Sequence, residues 1–228
     1  MPIRLVTLDC ANTLLRGRWD PVGFALWAAR EAGLCLPQRA AERYGVLLQS
    51  HYPAILEANR TGDRASVRAA YVRLGEEWLG ELGVAPAIAP EVVTASERLL
   101  VSKELFEPFP ETIPFLREAR ARGVRLAVVS NWDVSLNAVL AAHGLDTLVD
   151  ETYASLVVGA EKPGPTMLRL AMASAGASPD ETIHIGDDPI DDLGAAANAG
   201  VQGLLIDRSP RAEPPSIRSL TEALEWIG

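Results

Sequence analysis

Val6-Thr7-Leu8-Asp9-Cys10-Ala11-Asn12-Thr13-Leu14 is the stretch on which the rest of the chain depends. The run from Ile3 to Leu8 is short, apolar and rich in β-branched residues, and reads as a strand buried on both faces of a parallel sheet. It ends in a carboxylate, Asp9, followed at once by small and turn-prone residues. Open α/β sheets bind their ligands beyond the carboxyl ends of their strands. An acid at that point is therefore either a site residue or the cap of a loop. Three later segments, in a fixed order, bear on which.

Working outward, the character changes after Leu14. From Pro21 to about Ser102 no β-rich run occurs, only helical periodicity. Val67, Tyr71, Leu74, Trp78 and Leu82 make one apolar stripe at steps of four, three, four and four. Breaks fall at Gly33 to Pro37, Asn59 to Asp63 and Gly83 to Pro90, which predicts a bundle of about four helices. After the stiff segment Phe106-Glu107-Pro108-Phe109-Pro110, helices and strands alternate. Strands are expected at Val124 to Val129, Thr152 to Ser155, Thr182 to Ile185 and Gln202 to Ile206. Helices are expected at Glu111 to Arg122, Asp133 to His143, Pro165 to Ala175, Asp191 to Ala199 and Ile217 to Ile227. Arg208 to Ser216 reads as a Pro-containing surface loop. The expected fold is α/β, a doubly wound parallel sheet with a Rossmann-like core formed by residues 1–14 and 106–228, and an all-helical insertion over residues 15–105.

Four segments carry chemistry: Asp9 with Ala11 and Thr13; Val128-Val129-Ser130-Asn131, a strand ending in a hydroxyl and an amide; Gly159-Ala160-Glu161-Lys162-Pro163, a lysine in a loop that opens a helix; and Ile183 to Asp192, a strand ending in the acids Asp187, Asp188, Asp191 and Asp192. The sheet brings the strand ends to one edge. Asp9 and Asp187 can then share a hard cation such as Mg2+. Ser130 can donate to phosphate oxygens, and Lys162, one of only two lysines beside Lys103, can neutralise charge on a nucleophile and on a transferring group. Asp9 itself is suited to act as a carboxylate nucleophile that forms an acyl phosphate.

In these four pieces, taken in this order, the chain resembles the haloacid dehalogenase superfamily, the aspartate-nucleophile phosphohydrolases. The helical block resembles that family's cap, inserted after the first motif. The resemblance implies Asp9 as nucleophile and metal ligand, the backbone carbonyl of Ala11 and the carboxylate of Asp187 as further ligands of Mg2+, and Asp188 beside them as a ligand or supporting acid. It implies Ser130 and Asn131 on the phosphoryl group, Lys162 on Asp9, and Thr13 and Asp192 behind the ligands. Arg16, Arg18, Trp19 and Asp20 correspond to a hinge that borders the substrate in capped members, or to solvated charges at the start of a helix.

One position departs from the pattern. Phosphatases of the superfamily carry a second aspartate two residues after the nucleophile, which protonates the leaving oxygen and later activates water. Here that position is Ala11. Residues i and i+2 of an extended segment point the same way, so Ala11 faces the site and brings no proton. A Mg2+-dependent phosphatase with altered leaving-group chemistry is the first reading. A degenerate relative that binds a phosphoryl ligand or a partner is the alternative. A phosphonatase-like enzyme also has alanine here, but needs a cap lysine that residues 15–102 lack. A metal-free 2-haloacid dehalogenase conflicts with the Gly186-Asp187-Asp188 run.

The composition fits a small phosphorylated substrate and no macromolecular polyanion. The formal net charge of −9 argues against nucleic-acid and anionic-membrane partners, while a divalent cation can reverse the sign locally. No apolar run reaches the roughly 18–20 residues of a membrane span. The first strand begins almost at the first residue, which predicts no signal peptide, and the two cysteines, Cys10 and Cys35, give no disulfide framework, so a cytoplasmic location is expected.

Overall fold

The computed structural model describes residues 2–17, 20–209 and 216–227. In chain order the elements are β1 (Leu5–Leu8), β2 (Leu15–Gly17), α1 (Pro21–Glu31), α2 (Arg39–Arg60), α3 (Arg64–Glu81), α4 (Ala89–Leu100), β3 (Phe106–Pro108), α5 (Thr112–Ala121), β4 (Arg125–Ser130), α6 (Leu136–Ala142), β5 (Glu151–Ala154), α7 (Ser155–Val158), α8 (Thr166–Ala175), β6 (Thr182–Gly186), α9 (Asp191–Ala199), β7 (Gln202–Leu205) and α10 (Leu220–Ile227). They form two compact units, Met1–Gly17 with Glu107–Gly228, and Arg18–Phe106. The second unit begins later than the expected residue 15 and ends at Phe106, next to the expected residue 105; Leu15–Gly17 and Phe106–Pro108 are strands that pair as a separate two-stranded sheet.

The first unit is a doubly wound sheet of five parallel strands in the order β5-β4-β1-β6-β7. All four residues of β1 are buried, as its position at the centre requires. Leu8 lies opposite Val128 of β4 and Ile185 of β6, so the residues that follow these strands emerge along one edge. The chain crosses to β4 on one side of β1 and to β6 on the other. This is the topological switch point at which doubly wound sheets open a crevice. On one face, Leu5, Ala127 and Val129 pack with Met167, Leu168 and Ala171 of α8 and with Ala195, Ala196 and Ala199 of α9. Elsewhere α5 packs against β4 and α10 against α5.

The second unit is a four-helix assembly with its own core, in which Ile55, Leu74, Trp78, Leu79, Val92 and Leu99 meet Ala28, Ala29 and Ala70. The predicted stripe is its seam: Val67, Leu74 and Trp78 are buried, while Tyr71 and Leu82 are half-buried at its margins. Trp78 satisfies its indole N–H at the carbonyl of Ala40, 2.7 Å away, and Tyr44 meets its ring edge-on with centroids 5.1 Å apart. Asp20 and Asp63 accept backbone N–H groups at the starts of α1 and α3. Asp20 thus serves as a helix cap, whereas Arg18 and Trp19, expected beside it as a hinge or as solvated charges, lie outside the described residues, as do residues 210–215 of the surface loop.

Three boundaries differ from the sequence reading for local reasons. The helix expected from Asp133 begins at Leu136, because Asp133 accepts the backbone N–H and the hydroxyl of Ser135 and so forms a turn before it. The last helix begins at Leu220 rather than Ile217, whose backbone pairs with Ile206. A one-turn helix, α7, follows β5 directly and ends at Gly159 in the left-handed conformation (φ 77°).

Candidate active site

Asp9 leaves the end of β1 buried, and Cys10 beside it is fully buried. The chain then turns sharply: Leu14 and Leu15 both donate N–H groups to the carbonyl of Cys10, and Asn12 adopts φ 59°, a left-handed conformation that asparagine tolerates better than most residues. Among the described residues no backbone hydrogen bond ends on the carbonyl of Ala11. Thr13 turns back and donates its hydroxyl to Asp187 Oδ1 at 3.2 Å.

Around Asp9 the predicted partners converge. Lys162 Nζ lies 2.5 Å from Asp9 Oδ1, and Ser130 donates its hydroxyl to the same oxygen at 2.9 Å. The other oxygen, Oδ2, accepts none of the described hydrogen bonds. Lys162 Nζ also donates to Asp192 Oδ1 at 2.5 Å, so one ammonium is shared between two buried carboxylates. Asp9, Asp187 and Asp192 each bring a carboxylate oxygen within 4.8 Å of the others.

The electrostatics follow from burial and crowding. Burial pushes the Asp9 carboxyl up, as does Asp192, with Lys162 and Ser130 opposing. Burial also works against the charge of Lys162, yet Asp9 and Asp192 outweigh it and hold the ammonium well above its ordinary pKa. For Asp192 burial is overcome by His184 and Lys162, which hold the carboxyl well below its usual range. Asp187 has no such cation: burial, then the charges of Asp9 and Asp192, raise it to about 6. Beside it opens a depression of about 490 Å³, lined in part by Asn12, Phe109, Pro189 and Arg208.

Two residues expected in the site make other contacts. Asn131, expected at the phosphoryl group, has its amide on a loop: Oδ1 accepts the N–H of Lys162 at 2.9 Å, while Nδ2 donates to the carbonyl of Lys162 at 3.1 Å and to Asp191 Oδ2 at 3.2 Å. It holds the backbone from which Lys162 reaches Asp9. Asp188, expected beside the metal ligands as a ligand or supporting acid, lies outside the three-carboxylate group. Its Oδ1 accepts the N–H groups of Ile190 and Asp191 at the entry to α9, which turns the carboxylate to the helix. Asp192 is buried, in space that only a glycine opposite leaves open: a Cβ on Gly186 would come 2.0 Å from the Asp192 Cγ.

Two further residues were not singled out. Arg208 donates from Nη2 to the carbonyl of Thr13 at 2.8 Å and from Nε to that of Asn12 at 3.3 Å, pairs with Glu111, and lays its guanidinium 3.5 Å from the Phe109 ring centroid. It pins the turn that follows Asp9. His184, expected only as part of a core strand, is fully buried and places Nδ1 2.9 Å from Thr7 Oγ1 and Nε2 3.2 Å from Asp192 Oδ1. A histidine inside an apolar strand was the one visible signal for it; for Arg208 there was none.

Comparison with known proteins decides the family. The family description "haloacid dehalogenase-like hydrolase" matches residues 3–200. The chain belongs to the haloacid dehalogenase-like hydrolases. Within this family it is similar to haloacid dehalogenase-like hydrolase domain-containing protein 3 of Homo sapiens, with 30% identity over 233 residues, 96% of this chain and 87% of that protein. It is similar also to the phosphoserine phosphatase of Thermus thermophilus, with 35% identity over 144 residues, 63% of this chain and 57% of that enzyme. Among solved structures, a 2-haloacid dehalogenase from Pseudomonas syringae superposes with a TM-score of 0.72 at 23% identity, covering 99% of this chain and 97% of that one. A phosphatase of the family from Thermococcus onnurineus superposes with a TM-score of 0.64 at 19% identity, covering 99% and 98%. At these identities the structural likeness concerns the fold, which phosphatases and dehalogenases share.

Proposed function

We propose that the protein is a Mg2+-dependent phosphohydrolase of small phosphorylated substrates that works through an aspartyl-phosphate on Asp9. The observation that carries this reading is the state of the Asp9 carboxylate: one oxygen is held by Lys162 and Ser130, the other accepts no described hydrogen bond, and the carboxylate lies in one cluster with those of Asp187 and Asp192.

The donors suit a hard divalent cation. Three carboxylates, Asp9, Asp187 and Asp192, face one ammonium, Lys162, which leaves an excess of negative charge. Asp192 is already engaged by Lys162, His184 and the N–H of Asp188. Asp9, Asp187 and the backbone carbonyl of Ala11 remain as oxygen donors, and the raised pKa of Asp187, about 6, marks where counter-charge is missing. When bound there, Mg2+ supplies positive charge to the nucleophile and the phosphoryl oxygens.

The chain's own groups do the rest. Asp9 Oδ2 attacks phosphorus; the P–O bond to the leaving group breaks as the bond to Asp9 forms. Lys162 and Ser130 keep Oδ1 in place and stabilise charge on the transferring group. Water then cleaves the acyl phosphate and returns Asp9 and phosphate. Ala11 supplies neither the proton for the leaving oxygen nor a base for the water. Esters with stable leaving anions, such as aryl and acyl phosphates, are therefore the favoured substrates, and the phosphoenzyme accumulates because its hydrolysis has no such escape. We read the helical unit, Arg18–Phe106, as the cap that selects the substrate.

The test is a panel of aryl, acyl and alkyl phosphates, and 2-haloacids, assayed with and without Mg2+. Expected are Mg2+-dependent turnover of the aryl and acyl esters, weak turnover of alkyl esters, and a phosphorylated wild type that Asp9→Asn does not form. Haloacid turnover without metal overturns the reading in favour of carbon attack; phosphate binding without turnover of any ester overturns it in favour of a binding protein.

A further inference from the structure

We propose that His184, backed by Thr7, is a positioning residue for the reaction: it holds Asp192 where that carboxylate can set the Lys162 ammonium against Asp9. The proposal rests on the phosphoryl-transfer reading above.

A fully buried imidazole within a strand is costly unless both nitrogens are satisfied. Here they are, and the direction of each bond follows from the partners. Asp192 also takes Lys162 Nζ on Oδ1 and the N–H of Asp188 on Oδ2, so it is an ionised acceptor and Nε2 must donate to it. Taken as neutral with its proton on Nε2, the ring accepts at Nδ1, and the Thr7 hydroxyl 2.9 Å away is the donor; the other acceptor near that hydroxyl, the carbonyl of Ile183, is further off at 3.4 Å. The hydroxyl of Thr7 thus points to His184, the ring N–H to Asp192, and the ammonium of Lys162 to both Asp192 and Asp9. Steric fit adds to this. Asp192 fills the space where Gly186 has no Cβ, and the His184 ring borders its carboxylate, with Nε2 3.2 Å from Oδ1.

The consequence is for Lys162. An ammonium between two carboxylates sits where their pulls are equal, and a donor removed from Asp192 strengthens that side. Lys162 then moves toward Asp192 and away from Asp9 Oδ1. Displacement of a group at the reacting centre by about 1 Å costs roughly 10²-fold in rate.

The experiment uses the full chain with an aryl phosphate and Mg2+. His184→Leu keeps the bulk and removes the ring N–H; its kcat should fall roughly 10- to 100-fold, with KM within about threefold of wild type. His184→Gln retains an amide donor and should recover most of the loss. Thr7→Val, isosteric and unable to donate, should slow kcat in the same direction, and its effect should not add to that of His184→Leu. Long-range 1H–15N spectra of the wild-type ring should show the proton on Nε2. The proposal is overturned if folded His184→Leu turns over at the wild-type rate, if His184→Gln is as slow as His184→Leu, or if the proton is on Nδ1. Should His184→Leu not fold, a wild-type kcat in Thr7→Val overturns it. Asp9→Asn is the separate control: turnover that survives it removes the phosphoryl-transfer reading, while the ring spectrum still tests the hydrogen-bond order without turnover.

Discussion

Asp187 is the residue whose titration reports the site most directly. Its carboxyl, raised from 3.8 to about 6, binds a proton more tightly in the folded chain than in the unfolded one. The metal-free fold therefore gains stability from this group as pH falls through 6 toward 4, and lacks that contribution at neutral pH. In EDTA, the melting temperature should rise between about pH 7.5 and about pH 5.5, less so in Asp187→Asn, while Mg2+ should raise it most at the higher pH and only in the wild type. Equal pH slopes in the two proteins would show that Asp187 is not the group concerned. Ala11 gives the second prediction. A positioned acid contributes roughly 10²- to 10⁴-fold, about 3–5 kcal/mol of barrier. Ala11→Asp should raise turnover of alkyl phosphates toward that range and shorten the life of phospho-Asp9, read by rapid-quench mass spectrometry. An unchanged rate would mean that another group already supplies the proton. At this scale the sequence was informative about which side chains meet at the ends of the strands, as for Asp9, Ser130, Lys162 and Asp187. It was uninformative where the role comes from folding alone, as for Arg208, 195 residues after Thr13, and for Asn131, whose amide faces the backbone of a loop.

Among the elements, the junction of β6 and α9 is the most constrained. The strand ends in Gly186, and the first turn of the helix returns Asp192 into the space beside it. Gly186→Ala should force that turn outward, destabilise the protein by about 1–3 kcal/mol as overpacking does, and reduce turnover at least about tenfold because Lys162 loses its second partner. Urea unfolding and steady-state rates on the same preparation check both parts; a stable, fully active variant would mean that the turn yields freely. The long helices and central strands were legible because their periodicity persists: the stripe along α3 buries Val67, Leu74 and Trp78, and the run before Asp9 buries Leu5 to Leu8. The ribbon of β2 and β3 was not, since three-residue strands carry no period, and the proline in Phe106–Pro108 favours reading the segment as a stiff connector. The start of α6 was missed because Asp133 and Ser135 satisfy each other locally instead of opening the helix.

For the whole molecule, the division into two units carries the remaining prediction. Every described residue of the candidate site belongs to the unit formed by Met1–Gly17 and Glu107–Gly228. A phosphate mimic such as tungstate, added with Mg2+, should therefore slow amide exchange at the ends of β1, β4 and β6. If the helical unit is a cap that closes on the ligand, α1–α4 should gain protection as well. Protection confined to the sheet would remove the closing role and leave the helical unit as a separately folded insertion.

The order of strands in the sheet has a consequence for synthesis. β1, the central strand and the one that carries Asp9, is made first; its neighbours β4 and β6 begin at residues 125 and 182. The helical unit, with a core of its own, leaves the ribosome after β1 and before β4, while β1 still waits unpaired. A nascent chain is therefore without the reactive pair of Asp9 and Lys162 until translation is well past its midpoint, and without Asp187 and Asp192 until later still. Chains released before residue 162 carry Asp9 without Lys162, Asp187 or Asp192.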